Sequence, residues 1–217
     1  MRYIFEQVRV GGDRNLGYLL GDREAGEGVL VDPSFDPRTL VGRAQAQGLR
    51  ITAILNTHGH PDHTNGNSQA KALTGAPVAG GPGHPGPLDR VLRDGDWVPV
   101  GAMVLKVWHV PGHCPDHLAF LSDPLEAGFT GDLLFVGKVG GTGSEADART
   151  EWDSLRRLMR EWPPHAGIWP GHDYGARPSS TVAWERATNP FLLCPDVAAF
   201  IRLKAAWPEF KAKNALK

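Results

Sequence analysis

Residues 57–63 read THGHPDH, a short turn that crowds His58, His60, Asp62 and His63 around Gly59 and Pro61. Unpaired, these groups gain little from proximity, and protonated imidazoles repel one another. A divalent cation reverses that balance, because neutral His and ionised Asp are ready ligands for it. No packing argument favours the pattern, so the fold is constrained to hold this turn and to bring further ligands to it.

The flanking sequence indicates how. Ile51–Leu55 is a compact, β-branched run that predicts a buried strand leading straight into the turn. The same grammar recurs three times: PGH (111–113) follows the strand-like Met103–Val110, TGD (130–132) overlaps the end of Gly128–Thr130, and PGHD (170–173) follows the brief apolar pair Ile168 and Trp169. Each cluster falls at the C-terminal end of a strand, where ligands usually bind in layered α/β proteins. If those strands share a sheet, the clusters meet along one edge. Gly112, Gly131 and Gly171 let the backbone turn sharply beside a crowded site.

The remaining chain reads as further α/β punctuation. Tyr3–Val10, Leu16–Leu20, Val29–Val31 and His117–Leu121 are expected strands, with GGDRN a turn between the first two. A helix is predicted over Pro37–Gln47, opened by Asp36 and closed by Gly48, and another over Asn65–Leu73, stopping at Gly75. Arg149–Arg160 is amphipathic, with Trp152, Leu155, Leu158 and Met159 on one side, and Ser180–Thr188 and Asp196–Ala206 are expected helices. Residues 80–87, GGPGHPGP, suit a surface loop and join no second unit, so one mixed α/β domain over 1–217 is expected.

Composition removes other classes. A hydrophobic fraction of 41% supports a sizeable core, and a formal net charge of -1 points to neither nucleic acid nor an anionic membrane. No apolar run approaches the roughly 18 residues of a membrane span, and MRYIFEQVRV lacks the pattern of a signal peptide. Cys114 and Cys194 are expected as free thiols, and the protein as cytoplasmic.

The ligand arithmetic is specific. His58, His60, His63, His113 and His172 supply imidazoles, and Asp62 and Asp132 supply carboxylates. Together they match the need of two four-coordinate ions that share one bridging carboxylate and leave room for water and substrate. His84 and His165 are assigned to solvent. His109 and His117 lie in strands and are expected to pack or to support ligands from behind; Cys114 is expected to be a packed thiol.

THGHPDH, PGHCPDH, TGD and PGHD, in this order, resemble the metallo-β-lactamase superfamily. Within it they are most similar to the hydroxyacylglutathione hydrolases (glyoxalase II) and the related persulfide dioxygenases, and VDP (31–33) and WERATNPFL (184–192) extend the likeness along the chain. The resemblance implies a four-layer αββα sandwich. It implies one ion on His58, His60 and His113, a second on Asp62, His63 and His172, and Asp132 between them. Asp32 would orient a ligand imidazole from behind. Zinc is the expected ion, with iron or manganese compatible.

The implied activity is metal-dependent hydrolysis of a small-molecule acyl thioester or related ester, glutathione-linked in the family, by a metal-activated hydroxide that Asp62 orients as the catalytic carboxylate. Tyr174 matches an aromatic position that contacts glutathione. Gly141 and Gly143 stand where those hydrolases place a basic residue and a Tyr, with Lys138 nearby but shifted. Two alternatives stay open: a persulfide dioxygenase with a single Fe(II) on His58, His113 and Asp132, and a non-catalytic metal-binding module.

Overall fold

The strands that lead into the four clusters do not share one sheet; they belong to two sheets that face each other. The computed structural model describes residues 1–213. Its first sheet runs in sequence order through β1 (Tyr3–Gly11), β2 (Asn15–Asp22), β3 (Glu27–Val31), β4 (Arg50–Leu55), β5 (Val78–Gly80) and β6 (Arg90–Val91). Then come β7 (Trp97–Val100), β8 (Met103–His109), β9 (Leu118–Ser122), β10 (Ala127–Gly131), a small hairpin of β11 (Leu134–Phe135) and β12 (Lys138–Val139), β13 (Gly167–Pro170) and β14 (Ser180–Thr181). The second sheet has the order β14-β13-β10-β9-β8-β7. Helices α1 (Pro37–Ala46), α2 (Pro61–Thr64) and α3 (Asn67–Thr74) belong to the first half of the chain, and α4 (Glu145–Glu161), α5 (Val182–Thr188) and α6 (Val197–Lys213) to the second.

Three apolar clusters define four layers. On β2, Leu16, Tyr18 and Leu20 face the second sheet, where they meet Leu105 and Val107 of β8 and Leu118 and Phe120 of β9. The alternate residue Leu19, with Leu30 and Ile54, turns outward onto Leu40, Val41 and Ala44 of α1 and Ala70 of α3. Trp108, Ala119 and Leu121 turn outward from the second sheet onto Leu155, Leu158, Met159 and Trp162 of the α4 region, Val182 of α5 and Phe200 of α6. Covering both faces explains why β2 is buried at every position instead of alternating. Each fully buried Leu, Phe or Val contributes roughly 1.5–3 kcal/mol of transfer free energy. Gly128 marks the tightest approach on the outer side: a Cβ there would lie 1.9 Å from the Trp162 ring.

Local chemistry sets the boundaries. Asp36 accepts from the Thr39 N–H at 3.1 Å to open α1, and Gly75, in the left-handed region at φ 71, ends α3. Helix α4 begins at Glu145, ahead of the expected Arg149, because Ser144 caps the Asp147 N–H at 3.1 Å. Ser180 and Thr181 pair with Ile168 and Gly167 as β14, so the expected helix over 180–188 starts only at Val182. Helix α6 runs beyond the expected Ala206, past Pro208 to Lys213. Strands β5, β6 and β7 were not expected from the sequence. Among the described residues no helix is long and apolar enough to cross a membrane.

Candidate metal centre

The loops after β4, β8, β10 and β13 meet where the edges of the two sheets converge. Backbone hydrogen bonds tie the sheets there: the Leu118 N–H donates to Thr57 O at 2.6 Å and the Leu16 N–H to Gly171 O at 2.8 Å. Two glycines make the crowding possible. Gly131 takes φ +48, and a Cβ at Gly171 would lie 2.4 Å from Asp132 Oδ1 and 2.7 Å from the His63 ring.

Seven side chains singled out in the sequence converge at this point. His60 Nδ1 lies 2.9 Å from His58 Nε2 and 3.0 Å from His113 Nε2. His63 Nε2 lies 3.2 Å from His172 Nε2. Asp62 Oδ2 is 3.3 Å from His172 Nε2 and 3.6 Å from His63 Nε2. Asp132 sits between the groups, with Oδ1 3.4 Å from His63 Nε2 and Oδ2 3.3 Å from His172 Nε2 and 3.8 Å from His113 Nε2.

The partners behind the rings decide what the inner nitrogens are. His113 Nδ1 faces Gly141 O at 2.7 Å, and His172 Nδ1 faces Asp13 O at 2.8 Å. His63 Nδ1 faces Asp32 Oδ2 at 2.9 Å. Thr57 Oγ1 donates to Asp32 Oδ2 at 2.6 Å, which leaves it accepting from His58 Nδ1 at 3.0 Å. Toward the rings each of these partners accepts, so each Nδ1 carries a hydrogen, and each inner Nε2 is left to take a proton or a metal ion. Lone pairs and carboxylate oxygens packed at these distances repel unless protons or a metal cation lie among them. The donor set therefore fits metal, in overlapping groups: His58, His60 and His113 beside Cys114; His58, His63 and Asp132; and Asp62, His63 and His172.

Electrostatics agree. Burial, then the neighbouring imidazoles, holds the His58 pKa well below the ordinary value, and burial also lowers His113. Burial opposes charge on His172, but hydrogen bonds to Asp132 and Asp62 outweigh it and raise the pKa to about 10. His63 is likewise raised against burial, by Asp132 and Asp32. Carboxylates that draw protons onto these rings draw a divalent cation by the same attraction.

Several contributors were invisible or incompletely read in the sequence. Asn15 donates to Asp62 Oδ2 at 2.9 Å and fixes the half-exposed carboxylate. Buried His117 stacks on His58 with ring centroids 4.9 Å apart, and its Nε2 accepts the Asp132 N–H at 3.1 Å. His109 bonds Pro115 O at 2.8 Å, away from the cluster. His165 is exposed, as expected. His84 is not: it is half-buried, with Nε2 enclosed and Nδ1 accepting the Gly86 N–H at 3.0 Å, because the 80–87 loop packs Pro85 onto Gly59 of the His turn. Cys114 and Cys194 are free thiols, and burial, then Asp116, pushes the Cys114 thiol up and away from thiolate. Tyr174 stacks on the His172 ring, 4.6 Å between centroids and 4° between planes, and gives its hydroxyl to Asp13 at 2.6 Å.

A cavity of about 690 Å³ opens from Asp132 and runs between the 134–144 segment and α6, past Phe135, Lys138, Tyr174 and Lys204. Lys204 is committed to the wall, ion-paired with buried Glu151 and donating to Gly140 O at 2.7 Å. The cluster thus has both a polar floor and an approach wide enough for a small molecule.

Comparison with known proteins agrees with this arrangement. The metallo-β-lactamase superfamily model matches residues 10–102. The hydroxyacylglutathione hydrolase of Rhodospirillum rubrum is 39% identical over 181 residues, covering 82% of this chain and 68% of that protein. The human mitochondrial persulfide dioxygenase ETHE1 is 32% identical over 203 residues, covering 88% of this chain and 75% of that protein. The crystal structure of ETHE1 from Myxococcus xanthus matches with a TM-score of 0.83 at 30% identity, over 94% of this chain and 91% of that one. Relatives of this identity and coverage leave one conclusion, that the chain belongs to the metallo-β-lactamase superfamily.

Proposed function

We propose that the protein is a metal-dependent hydrolase of acyl thioesters or related esters, working as a single catalytic unit with two divalent ions, zinc first among the candidates. The observation that carries the reading is the completeness of the second ligand group. Asp62, His63 and His172 surround their own position in addition to the one among His58, His60 and His113, and Asp132 reaches both. Ions held there would supply Lewis acidity to a carbonyl oxygen and acidify water at neutral pH.

The chain's own residues do the rest. Asp62, half-exposed and steadied by Asn15, accepts a hydrogen bond from the attacking water and aims it at the carbonyl carbon. The outer acceptors Asp13 O, Gly141 O, Thr57 and Asp32 keep the rings in one tautomer, so no reorientation is needed during turnover. The cavity beside Asp132 takes the rest of the substrate. A thiolate leaves as a weak base, so no strong general acid is required at its side.

A second reading, a single-iron persulfide dioxygenase, draws on the 32% identity to the human enzyme and on Gly141 and Gly143, which offer neither a basic side chain nor a phenol. The two are separated by running both assays on zinc- and iron-loaded protein. Anaerobic release of free thiol from S-lactoylglutathione or a simpler acyl thioester is expected. Iron-dependent oxygen uptake with glutathione persulfide, without anaerobic thiol release, overturns the hydrolase. Elemental analysis should find up to two transition-metal ions per chain.

A further inference from the structure

The cavity beside the cluster holds a cation that, among the described residues, has no carboxylate in contact with it and rests only against ring faces. Lys138 of β12 lines it, and the neighbours of its Nζ are aromatic faces, with the Tyr174 centroid at 3.9 Å and Phe135 at 5.3 Å. Among the described residues it has no ion pair and no side-chain hydrogen bond. The nearby carboxylates are engaged elsewhere: Asp132 with the His63 and His172 rings, Glu151 with Lys204, Glu145 with Arg149 at 2.7 Å, and Asp13 with the Tyr174 hydroxyl, so that Asp132 and Asp13 attract Lys138 only from a distance. Lys211 of α6 lines the same cavity and also lacks an ion pair among the described residues.

The rest of the wall is of another kind. Val139, Phe191, Ile201, Trp207 and Pro208 present apolar surface along the α6 side, and the Gly141–Thr142–Gly143 stretch brings no charge. A half-buried ammonium among rings is costly to keep charged; burial, followed by Lys211 and Arg14, brings the Lys138 pKa down to about 8. The ring faces offset part of that cost, and an arriving anion offsets more, because a charge-assisted hydrogen bond in such a place is among the stronger polar contacts.

We propose that Lys138 is the specificity-determining residue of this cavity, selecting ligands with an apolar body against α6 and an anionic end group at Lys138, while the reacting end lies toward Asp132. As a statement about substrates this rests on the hydrolase reading; as a statement about binding it stands alone. The ligand class is an aryl or alkyl compound ending in a carboxylate or similar anion.

The test uses a matched pair, 4-phenylbutanoate and its neutral amide, titrated calorimetrically into metal-loaded protein. Wild type should bind the carboxylate about tenfold more tightly or better, and Lys138→Met and Lys138→Gln should bring the two within about threefold while leaving the amide affinity unchanged. Equal binding by wild type, no binding of either compound, or a preference that survives in both folded variants overturns the proposal. In parallel, N-acetylcysteamine thioesters of pentanoic and glutaric acid are assayed for thiol release. Anion-selective binding with no thiol release retains the Lys138 assignment and sinks the hydrolase; thiol release without selective binding does the reverse.

Discussion

Replacing Asp32 by Asn tests whether the cluster is set from behind. Asp32 is buried and uses both oxygens: Oδ1 accepts the Thr57 N–H at 2.9 Å, and Oδ2 accepts Thr57 Oγ1 at 2.6 Å and His63 Nδ1 at 2.9 Å. Its φ of 45 lies in the left-handed region, which Asn tolerates, so the backbone should stay in place. The amide must then turn its NH2 toward at least one donor. Either the Thr57 N–H loses its acceptor, or the Thr57 hydroxyl and the His63 N–H do. An unsatisfied buried group costs about 1–3 kcal/mol, and losing the charge on the remaining bonds raises the total to about 2–4 kcal/mol. That is a large part of the roughly 5–15 kcal/mol that holds a domain folded.

The metal term is separate. Without the carboxylate, His63 can turn its hydrogen inward, and the loss of such an outer partner typically costs about 10–100-fold in metal affinity. Thr57→Val removes the hydroxyl behind His58 and one of the bonds to Asp32 but leaves the carboxylate on His63, so it should weaken the His58 group more than the His63 group. Competition with a chromophoric chelator resolves the two ions, and melting of metal-stripped protein isolates the fold. If Asp32→Asn binds both ions as wild type does, the reasoning about His63 is wrong.

Asp132→Ala removes a carboxylate shared by both groups and should lose metal and activity far beyond exposed His165→Ala, with elemental analysis and thiol release as measurements; equal losses refute the ligand map. Gly128→Ala would push Trp162 from its buried seat and should lower stability by about 1–3 kcal/mol, read from a denaturant melt. Lys138 has a folded pKa of about 8, below its unfolded value, so the folded protein binds fewer protons above about pH 8 and stability rises there with pH. Relative to Lys138→Met, wild type should therefore gain about 1 kcal/mol between pH 7 and 10, a figure already discounted for screening of a half-exposed group. A pH-independent difference between the two proteins refutes it.

What the sequence disclosed follows the range of the forces. Strands β1, β2, β4 and β8 were legible because their apolar residues are contiguous and β-branched or aromatic. Strands β5 and β6 have three and two residues, and they exist because distant partners supply the hydrogen bonds, as when Ile54 pairs with Val78. The early start of α4 did leave a signal, Ser144 with Asp147 three residues on. At the candidate site the inward groups were readable, because His and Asp at such spacing have little else to do. Of the outward groups Asp32 was named through the resemblance, whereas Asp13 and Gly141 were not, since they act through backbone carbonyls that every residue possesses. His84 was misread because the burial of a loop residue depends on what the loop lies against.

The chain passes between its two sheets once, through residues 92–96: everything before belongs to the first sheet and every later strand of the sandwich to the second. His58, His60, Asp62 and His63 therefore stand on one fragment, and His113, Asp132 and His172 on the other. Cut at Arg93–Gly95, the protein becomes a candidate split reporter, two polypeptides with an incomplete half of the donor set on each. Metal retained by the mixture, and by neither fragment alone, would then record their reunion.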